Sequence, residues 1–310
     1  RVAIVFSTLF AAPARSVPTE KRDSQIYDTL EQAHQIYKQQ LLAYHQLSEQ
    51  SPDYFRLIRT QAELKHHLEK WQNAPKAKTP QLPVGLIPLM EGAEGILSFE
   101  ELPMWWELGV RIIGLAWRGN RYSGGTKEPG PLSQAGKELL DAMAEHGFVL
   151  DISHMDEEAA LQAIERYPGT IIASHANLAR LVEGYQGNRL LSDTLLDALL
   201  ERNAIIGVVP CNSFLRRDWK ESGGKASVSL KLAAEQIDAI CQRAGDSKHV
   251  GLGTDFDGGI GLQSVPAEID TIADLPKLSA FLKEMGYSQT AIEDINYRNF
   301  LNMIQSVLPA

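Results

Sequence analysis

Cysteine and long apolar runs are the scarcest features of this sequence. Only two cysteines occur among the 310 residues, Cys211 and Cys241, and they are not spaced as a CxxC pair. We therefore expect free thiols and a reducing compartment rather than a disulfide framework. No apolar run approaches the roughly 20 residues of a membrane-spanning helix, so no membrane partner is expected.

Positive charge is also in short supply. Lysine and arginine total 30 against 39 aspartates and glutamates, which gives a net charge of −9, and no basic stripe is present. Because nucleic acids and anionic membranes bind basic surfaces, neither is expected as a partner. The hydrophobic share of 44% and the charged share of 22% are ordinary for a globular protein. The length allows one large α/β domain or two smaller ones.

Two common sequence signals are missing as well. No GxGxxG turn follows an early strand, which argues against a dinucleotide site on a doubly wound sheet. The chain begins at Arg1 and enters an apolar run at residues 2–6 without the features of a signal peptide. Such an abrupt start suggests a chain cut within a fold.

Short apolar strands alternate with helices along the whole chain. We predict seven core strands, at residues 2–8, 84–90, 110–116, 148–152, 170–173, 205–210 and 250–254. The nearest regular architecture is a (β/α)8 TIM barrel, which needs eight strands. We expect residues 1–310 to form a single α/β barrel of this type whose first strand lies upstream of Arg1. A doubly wound open sheet is the alternative.

A helical insertion is predicted at residues 24–73, after the first strand. Its main helix carries an apolar stripe at three-to-four spacing that includes Ile26, Leu30 and Leu41. Such a stripe is typical of core packing, which we favour; a lid or a homodimer surface is the alternative. A linker rich in lysine and proline follows at residues 75–83.

The carboxyl-terminal ends of the predicted strands carry the candidate chemistry, because barrel enzymes place their active sites at that face. Those ends hold Glu91, Trp117, His154, His175, Cys211 with Asn212, and Asp255. The strand–helix–strand unit at residues 148–175 should make its two strands parallel neighbours with a right-handed crossover. His154 and His175 would then emerge side by side, whereas the six other histidines lie on predicted helices or at the opposite end of a strand.

Two imidazoles and a carboxylate suit zinc or a similar divalent ion with open positions for water. Water on such an ion has a pKa near 7 and supplies hydroxide at neutral pH. Asp255 is the candidate general base and acid, and a capping carboxylate in the turn at 255–259 is the alternative. For His154 and His175 the alternative is a pair of hydrogen-bonded loop residues. Cys211 has no histidine adjacent in sequence, so a role as nucleophile is not expected.

Seven segments taken together resemble the membrane (renal) dipeptidase family of zinc peptidases, within the amidohydrolase superfamily. The segments are MEGAEGI at 90–96, GVRIIGLAW at 109–117, LDISH at 150–154, IIASHAN at 171–177, NRLLSD at 188–193, VGLGTDFDGG at 250–259 and RNFLNMI at 298–304. Each segment alone is unspecific, but their ordered combination is highly specific. The resemblance covers about residues 2–308.

The resemblance implies a binuclear zinc barrel that hydrolyses dipeptides by a metal-bound hydroxide. It assigns Glu91 as the bridge between two zinc ions, with His154 and His175 on the second ion. Arg189 would bind the substrate carboxylate through a bidentate fork. Asp255 would hold the bridging hydroxide and pass its proton to the leaving amine.

Three departures from the family pattern affect these expectations. The family holds its first zinc ion with a His-x-Asp pair on the first strand, and no such pair occurs near Arg1, so the first metal site is incomplete here. Trp117 stands where the family has a histidine that stabilises the tetrahedral intermediate, and Arg118 is the candidate for the positive charge. The family's Arg-Asn pair is Arg189-Leu190 here. These differences leave the exact substrate open.

We therefore expect a metallo-dipeptidase that acts on a small peptide substrate. One alternative is a related amidohydrolase acting on another amide or a lactam. The other is a catalytically incomplete barrel that only binds a small ligand. Because the chain ends at Ala310 without an apolar anchor signal, we expect a soluble bacterial-type enzyme and favour the cytoplasm.

Overall fold

The computed structural model describes residues 2–75 and 81–310. They form two compact units, which we call the N-terminal unit, Val2–Thr170 with Gln305–Ala310, and the C-terminal unit, Ile171–Ile304. In each unit, parallel strands alternate with helices, as predicted. Most of the linker predicted at residues 75–83 lies outside the described residues.

The described residues of the N-terminal unit form nine strands. They are β1 (Ile4–Phe10), β2 (Ala12–Pro13), β3 (Ile26–Tyr27), β4 (Phe55–Leu57), β5 (Val84–Glu91), β6 (Ile112–Gly114), β7 (Ser123–Gly125), β8 (Glu128–Leu132) and β9 (Val149–Asp151). The main sheet runs in the order β1-β5-β6-β9 with all pairs parallel, and β4 pairs with the first residues of β5. The pair β2–β3 is parallel and the pair β7–β8 is antiparallel.

The register of this sheet brings several strand ends to one level. Glu91, the last residue of β5, lies opposite Phe10 of β1 and Gly114 of β6, and Gly114 lies opposite Asp151 of β9. β5 is buried from Gly85 to Met90, as expected of a parallel strand covered on both faces. The carboxyl ends of β5, β6 and β9 therefore form one edge, where polar side chains can gather.

Five helices connect these strands in the described part of Val2–Thr170. They are α1 (Leu30–Gln50), α2 (Gln61–Gln72), α3 (Leu102–Glu107), α4 (Gln134–His146) and α5 (Glu157–Arg166). Capping boxes start α1 at Thr29 and α2 at Thr60, so α1 begins later than the residue 24 start of the predicted insertion. Short 3-10 turns occupy Ala14–Ser16, Thr19–Lys21 and Phe99–Glu101.

The inner face of α1 packs into the core of the N-terminal unit. Tyr37 is fully buried, and its ring fills the space beside Gly95, where a Cβ would lie 2.0 Å from the ring carbon Cδ2. The Tyr37 hydroxyl donates to the Glu91 carbonyl at 2.9 Å. This contact supports core packing for the stripe on α1, while the homodimer surface stays a prediction.

The glycine-rich segment at residues 118–131 folds mostly as the β7–β8 hairpin. Thr126 and Lys127 form its two-residue turn, and Lys127 has a φ of 63°. Two prolines, Pro129 and Pro131, lie in β8, which is tolerated because this strand is at an edge. The prolines and glycines concealed the strand pattern, so this hairpin was not predicted from sequence.

The C-terminal unit contains three parallel strands in the order β10-β11-β12. They are β10 (Ile171–Ala173), β11 (Ile205–Val208) and β12 (Val250–Leu252). The helices are α6 (Asp193–Glu201), α7 (Asn212–Leu215), α8 (Lys231–Ala244), α9 (Lys277–Glu284), α10 (Gln289–Glu293) and a π-helical segment (Asp294–Arg298). The last helix, α11 (Asn299–Val307), begins in this unit, and its residues from Gln305 onward belong to the N-terminal unit. Short 3-10 turns occupy Ala179–Leu181, Gly224–Ser227, Leu262–Ser264 and Ile272–Asp274. In the part of the chain that the structure describes, each helix is too short or too polar to cross a bilayer.

Candidate metal centre

Glu91 and His154 meet at the carboxyl-terminal edge of the N-terminal sheet. The Glu91 Oε1 atom lies 3.0 Å from His154 Nε2, and the two side chains are only 13% and 10% exposed. Glu91 ends β5, and His154 follows β9 by three residues. The structure thus brings together two of the predicted metal ligands. Their separation is close to that of two atoms that each lie about 2 Å from one zinc ion.

The turn after β9 aims His154 at this edge. Asp151 accepts a hydrogen bond from the Ser153 N–H at 3.0 Å, and the Met155 N–H donates to the Ile152 carbonyl at 3.1 Å. His154 itself has a φ of 68°. A non-glycine residue in this left-handed region is uncommon and costs free energy, so the surrounding turn must hold it in place.

Trp117 lies beside the same histidine, and Arg118 lies against Trp117. The centroids of the Trp117 and His154 rings are 6.3 Å apart, and Trp117 makes an edge-on contact with Phe10 at 5.1 Å. The Arg118 guanidinium lies 4.9 Å from the centre of the Trp117 ring and donates to the Thr126 carbonyl at 3.1 Å. Trp117 is therefore a neighbour of His154, whereas Arg118 contacts Trp117 and is held by a backbone contact of its own.

Thr126 is a polar neighbour of His154 that the sequence did not reveal. Its hydroxyl oxygen lies 2.9 Å from His154 Nδ1 and 3.3 Å from the His154 carbonyl oxygen. Thr126 lies in the turn of the β7–β8 hairpin, within a segment without hydrophobic periodicity. Only the hairpin register brings it to the histidine, so no sequence signal could have indicated this contact.

His175 and Arg189 are joined within the C-terminal unit. His175 follows β10 and is buried, and its Nδ1 lies 2.7 Å from the Ser174 hydroxyl. The Arg189 Nη2 group donates to the His175 carbonyl at 2.7 Å, and the guanidinium lies 5.1 Å from the centre of the Phe214 ring. The predicted carboxylate-binding arginine is thus tied to the backbone of a predicted metal ligand.

Asp255 lies in a tight turn after β12. Its φ is 52°, its carbonyl accepts from the Gly258 N–H at 3.1 Å, and the residue is half-buried. Asp257, two residues further on, is exposed. Burial, together with the charge of Asp255, raises the pKa of the Cys211 thiol. A thiol that keeps its proton is a poor nucleophile, in agreement with the expectation for Cys211.

Glu94 is a second buried acid near the end of β5. It is 2% exposed, and neither carboxylate oxygen meets the geometry of a hydrogen bond with any of residues 2–75 and 81–310. Burial raises the pKa of Glu94 to about 7, although the nearby Asn120 and Tyr27 side chains oppose the shift. Nothing in the sequence distinguishes this glutamate from a solvated loop residue, so its burial could not be predicted.

Comparison with known proteins extends over almost the whole chain. The profile of the membrane dipeptidase family, peptidase family M19, matches residues 7–308. An uncharacterised protein encoded in the pqqA 5′ region of Klebsiella pneumoniae is 29% identical over 234 residues, which cover 72% of this chain and 82% of that protein. An uncharacterised dipeptidase of Schizosaccharomyces pombe is 27% identical over 226 residues, 70% of this chain and 52% of that protein. This chain therefore spans about half the length of the yeast relative.

Two similar crystal structures belong to peptidases. One is dipeptidase AC, a metallo peptidase of family M19, with a TM-score of 0.79 and 22% identity, covering 99% of this chain and 86% of that chain. The other is a metallo peptidase from Rhodobacter sphaeroides with a phosphinate mimic of the dipeptide L-Ala-D-Ala, with a TM-score of 0.76 and 23% identity, covering 90% of this chain and 76% of that chain. These likenesses confirm the predicted α/β barrel class.

Proposed function

Since the chain belongs to the membrane dipeptidase family, peptidase family M19, we propose that it hydrolyses dipeptides in a metal-dependent reaction. The observation that carries this proposal is the family match over residues 7–308, which includes every proposed site residue. The dipeptide mimic bound to the similar Rhodobacter sphaeroides peptidase supports a small peptide as the substrate. The yeast relative is named as a dipeptidase.

The metal ligands in this proposal are Glu91, His154 and His175. They offer one carboxylate oxygen and two imidazole nitrogens, a set that suits zinc. The partly buried Glu91–His154 pair supports the assignment, because its two donor atoms are 3.0 Å apart. A bound zinc ion would polarise the peptide carbonyl and lower the pKa of a coordinated water to about 7. We propose two zinc ions for the complete protein, as the family resemblance implies, and the first of these sites lacks its His-x-Asp pair in this chain.

Asp255 acts as the proton-transfer residue in this proposal. A half-buried carboxylate at a strand end can accept a proton from the attacking water and return it to the leaving amine. Its left-handed backbone at a φ of 52° supports the role, because strained backbone at strand ends is typical of functional positions. The turn around it would then serve to aim the carboxylate.

Arg189 binds the free carboxylate of the dipeptide in this proposal, and Trp117 and Arg118 line the substrate site. The Arg189 guanidinium is buried and is held by the His175 carbonyl and the Phe214 ring, so its charge has a fixed position. Trp117 lies beside His154, and Arg118 lies against Trp117. A requirement for a free carboxylate near the cleaved bond would exclude long peptides.

A related amidohydrolase acting on another amide or a lactam is the second candidate function. Trp117 favours it, because a tryptophan beside His154 stands where the family has a histidine. A dipeptide carries a free carboxylate for Arg189, and a dipeptide amide does not.

We further propose a cytoplasmic location, with nucleic acid excluded as a partner by the net charge of −9.

The proposed function is tested with a substrate panel on zinc-reconstituted protein. Dipeptides should be hydrolysed, and the matched dipeptide amides should be hydrolysed at least about tenfold more slowly, because they leave the Arg189 charge unpaired. N-acyl amino acids and β-lactams test the second candidate. Turnover of either class without turnover of any dipeptide would overturn the dipeptidase proposal.

A further inference from the structure

The Thr126 hydroxyl makes two contacts with a single residue, His154. One contact is with the ring nitrogen Nδ1 at 2.9 Å, and the other is with the backbone carbonyl oxygen at 3.3 Å. The opposite ring nitrogen, Nε2, faces the Glu91 carboxylate at 3.0 Å. His154 is thus held on one edge by a hydroxyl and on the other edge by a predicted metal ligand.

Donation by the Thr126 hydroxyl to the His154 carbonyl would place the imidazole proton on Nδ1. A hydroxyl has one hydrogen, and a carbonyl can only accept. When Thr126 donates to the His154 carbonyl, it can only accept from Nδ1, so Nδ1 must carry a hydrogen. In the neutral ring the lone pair then lies on Nε2, the atom that faces Glu91.

The hairpin holds the hydroxyl in this position. The Thr126 N–H donates to the Trp117 carbonyl at 3.0 Å, and the Thr126 carbonyl accepts from Arg118 at 3.1 Å. The base of the hairpin is tied to the turn after β9, because the Asp156 N–H donates to the Gly124 carbonyl at 3.1 Å. Thr126 and His154 therefore belong to one hydrogen-bonded assembly. The position of the Thr126 hydroxyl is fixed by backbone hydrogen bonds as well as by its contact with the His154 ring.

We propose that Thr126 is a positioning residue that fixes the Nδ1–H tautomer of His154 and directs the Nε2 lone pair toward the metal. This inference rests on the proposed metal-dependent function for the identity of the ligand. In the other neutral tautomer the Nε2–H group would donate to Glu91. The two proposed metal ligands would then be hydrogen-bonded to each other instead of binding the metal. The Thr126 hydroxyl disfavours that self-paired state, because its single hydrogen cannot be donated to Nδ1 and to the His154 carbonyl at once.

The variants Thr126→Val and Thr126→Ser separate the hydroxyl from the shape of the side chain. Valine keeps the branched shape and removes the hydroxyl, and serine keeps the hydroxyl. Zinc affinity is measured by competition with a chromogenic chelator at neutral pH, on the full chain. Thr126→Val should bind zinc about 10- to 100-fold more weakly than wild type, in the range seen when the hydrogen-bond partner of a ligating histidine is lost. Thr126→Ser should remain within a few-fold of wild type.

Nitrogen-15 NMR of the metal-free protein reads the tautomer directly. The spectrum is recorded at about pH 8.5, where a typical imidazole is neutral, and the His154 signals are assigned by their loss in His154→Gln. Wild type and Thr126→Ser should show the hydrogen on Nδ1, and Thr126→Val should shift toward Nε2–H. A merely structural role for Thr126 would change the melting temperature without moving these signals.

Three results would overturn the inference: a hydrogen on Nε2 in wild type, unchanged zinc affinity in Thr126→Val, or equal losses in the valine and serine variants. If Thr126→Val fails to fold, the tautomer in wild type and Thr126→Ser still decides the question. Wild type that binds zinc without hydrolysing any dipeptide would overturn the proposed function alone. Wild type that binds no zinc would overturn both proposals.

Discussion

His154 and Asp255 share an uncommon backbone conformation. Each follows a parallel strand, and their φ values are 68° and 52°. Left-handed backbone in a non-glycine residue is sparse and concentrates where a side chain must be aimed. Sequence reasoning placed both residues at strand ends, because apolar strands and their last residues can be recognised from pattern. It could not predict the left-handed turns, which depend on hydrogen bonds formed only in the folded chain.

The role of Asp255 is tested by Asp255→Asn, which keeps the size of the side chain and removes its proton-transfer function. We expect kcat for dipeptides to fall roughly 100-fold or more, the usual contribution of a general acid–base residue, while zinc content stays at the wild-type level. Steady-state kinetics measures kcat, and metal analysis of the same preparation measures the zinc content. A variant that keeps the wild-type kcat would show that Asp255 is only a capping residue of its turn.

The buried Glu94 predicts a pH dependence of stability. Its pKa is about 7 in the folded protein against an ordinary value of 4.5, because burial disfavours the charged form. As pH rises from about 4.5 to 7, the unfolded state gives up this proton first. The free energy of unfolding therefore falls over that window, by roughly 3 kcal/mol for a buried group of this kind.

Glu94→Gln should remove this loss of stability. Relative to wild type, the variant should gain roughly 2 kcal/mol in the free energy of unfolding between pH 5 and pH 8, measured by urea denaturation. Glu100→Gln is the matched control, since Glu100 is exposed and its pKa is lowered by hydrogen bonds with Ser98 and its own backbone. A Glu94→Gln difference that does not vary with pH would show that Glu94 is not buried as a carboxylic acid.

At the scale of elements, the seven core parallel strands were predictable and the β7–β8 hairpin was not. The seven predicted core strands overlap β1, β5, β6, β9, β10, β11 and β12, because a buried parallel strand is recognised by its apolar run alone. β8 contains two prolines and β7 contains two glycines, which read locally as a loop. Thr126 was missed for the same reason, since only the hairpin register brings it to His154.

The turn after β12 predicts a contrast between two adjacent glycines. A Cβ on Gly258 would lie 2.1 Å from the Asp255 Oδ1 atom, so Gly258→Ala must displace that carboxylate. We expect kcat to fall about tenfold or more with little change in melting temperature, because a small misplacement of a reacting group is costly. Kinetics and thermal unfolding of the same variant check this expectation.

Gly259→Ala is the control for this turn. Gly259 has a φ of 80°, and a Cβ added to it would lie more than 4 Å from the other described residues outside its immediate neighbours. Alanine there would therefore strain the backbone without touching the Asp255 side chain. It should lower stability by about 1 kcal/mol and affect kcat less than Gly258→Ala. Equal losses of kcat in both variants would show that the backbone of the turn, rather than the Asp255 carboxylate, matters.

At the scale of the whole molecule, the family and the barrel class could be predicted from the sequence. Seven ordered segments carried the family prediction, and the profile match over residues 7–308 confirms it. The site could be predicted only in outline, because strand ends indicate which residues share an edge but not which groups hold them there. The further strand expected before Arg1, the single domain and the homodimer stay predictions.

The most direct test of the central claim is dipeptide turnover measured as a function of bound zinc. Zinc is removed from wild type and Glu91→Gln with a chelator and then added back in steps, with metal content measured at each step. Wild-type turnover should be lost on removal and should return in proportion to bound zinc, while Glu91→Gln should bind zinc weakly and stay inactive. Full turnover by zinc-free wild type, or wild-type zinc binding and turnover by Glu91→Gln, would contradict the account.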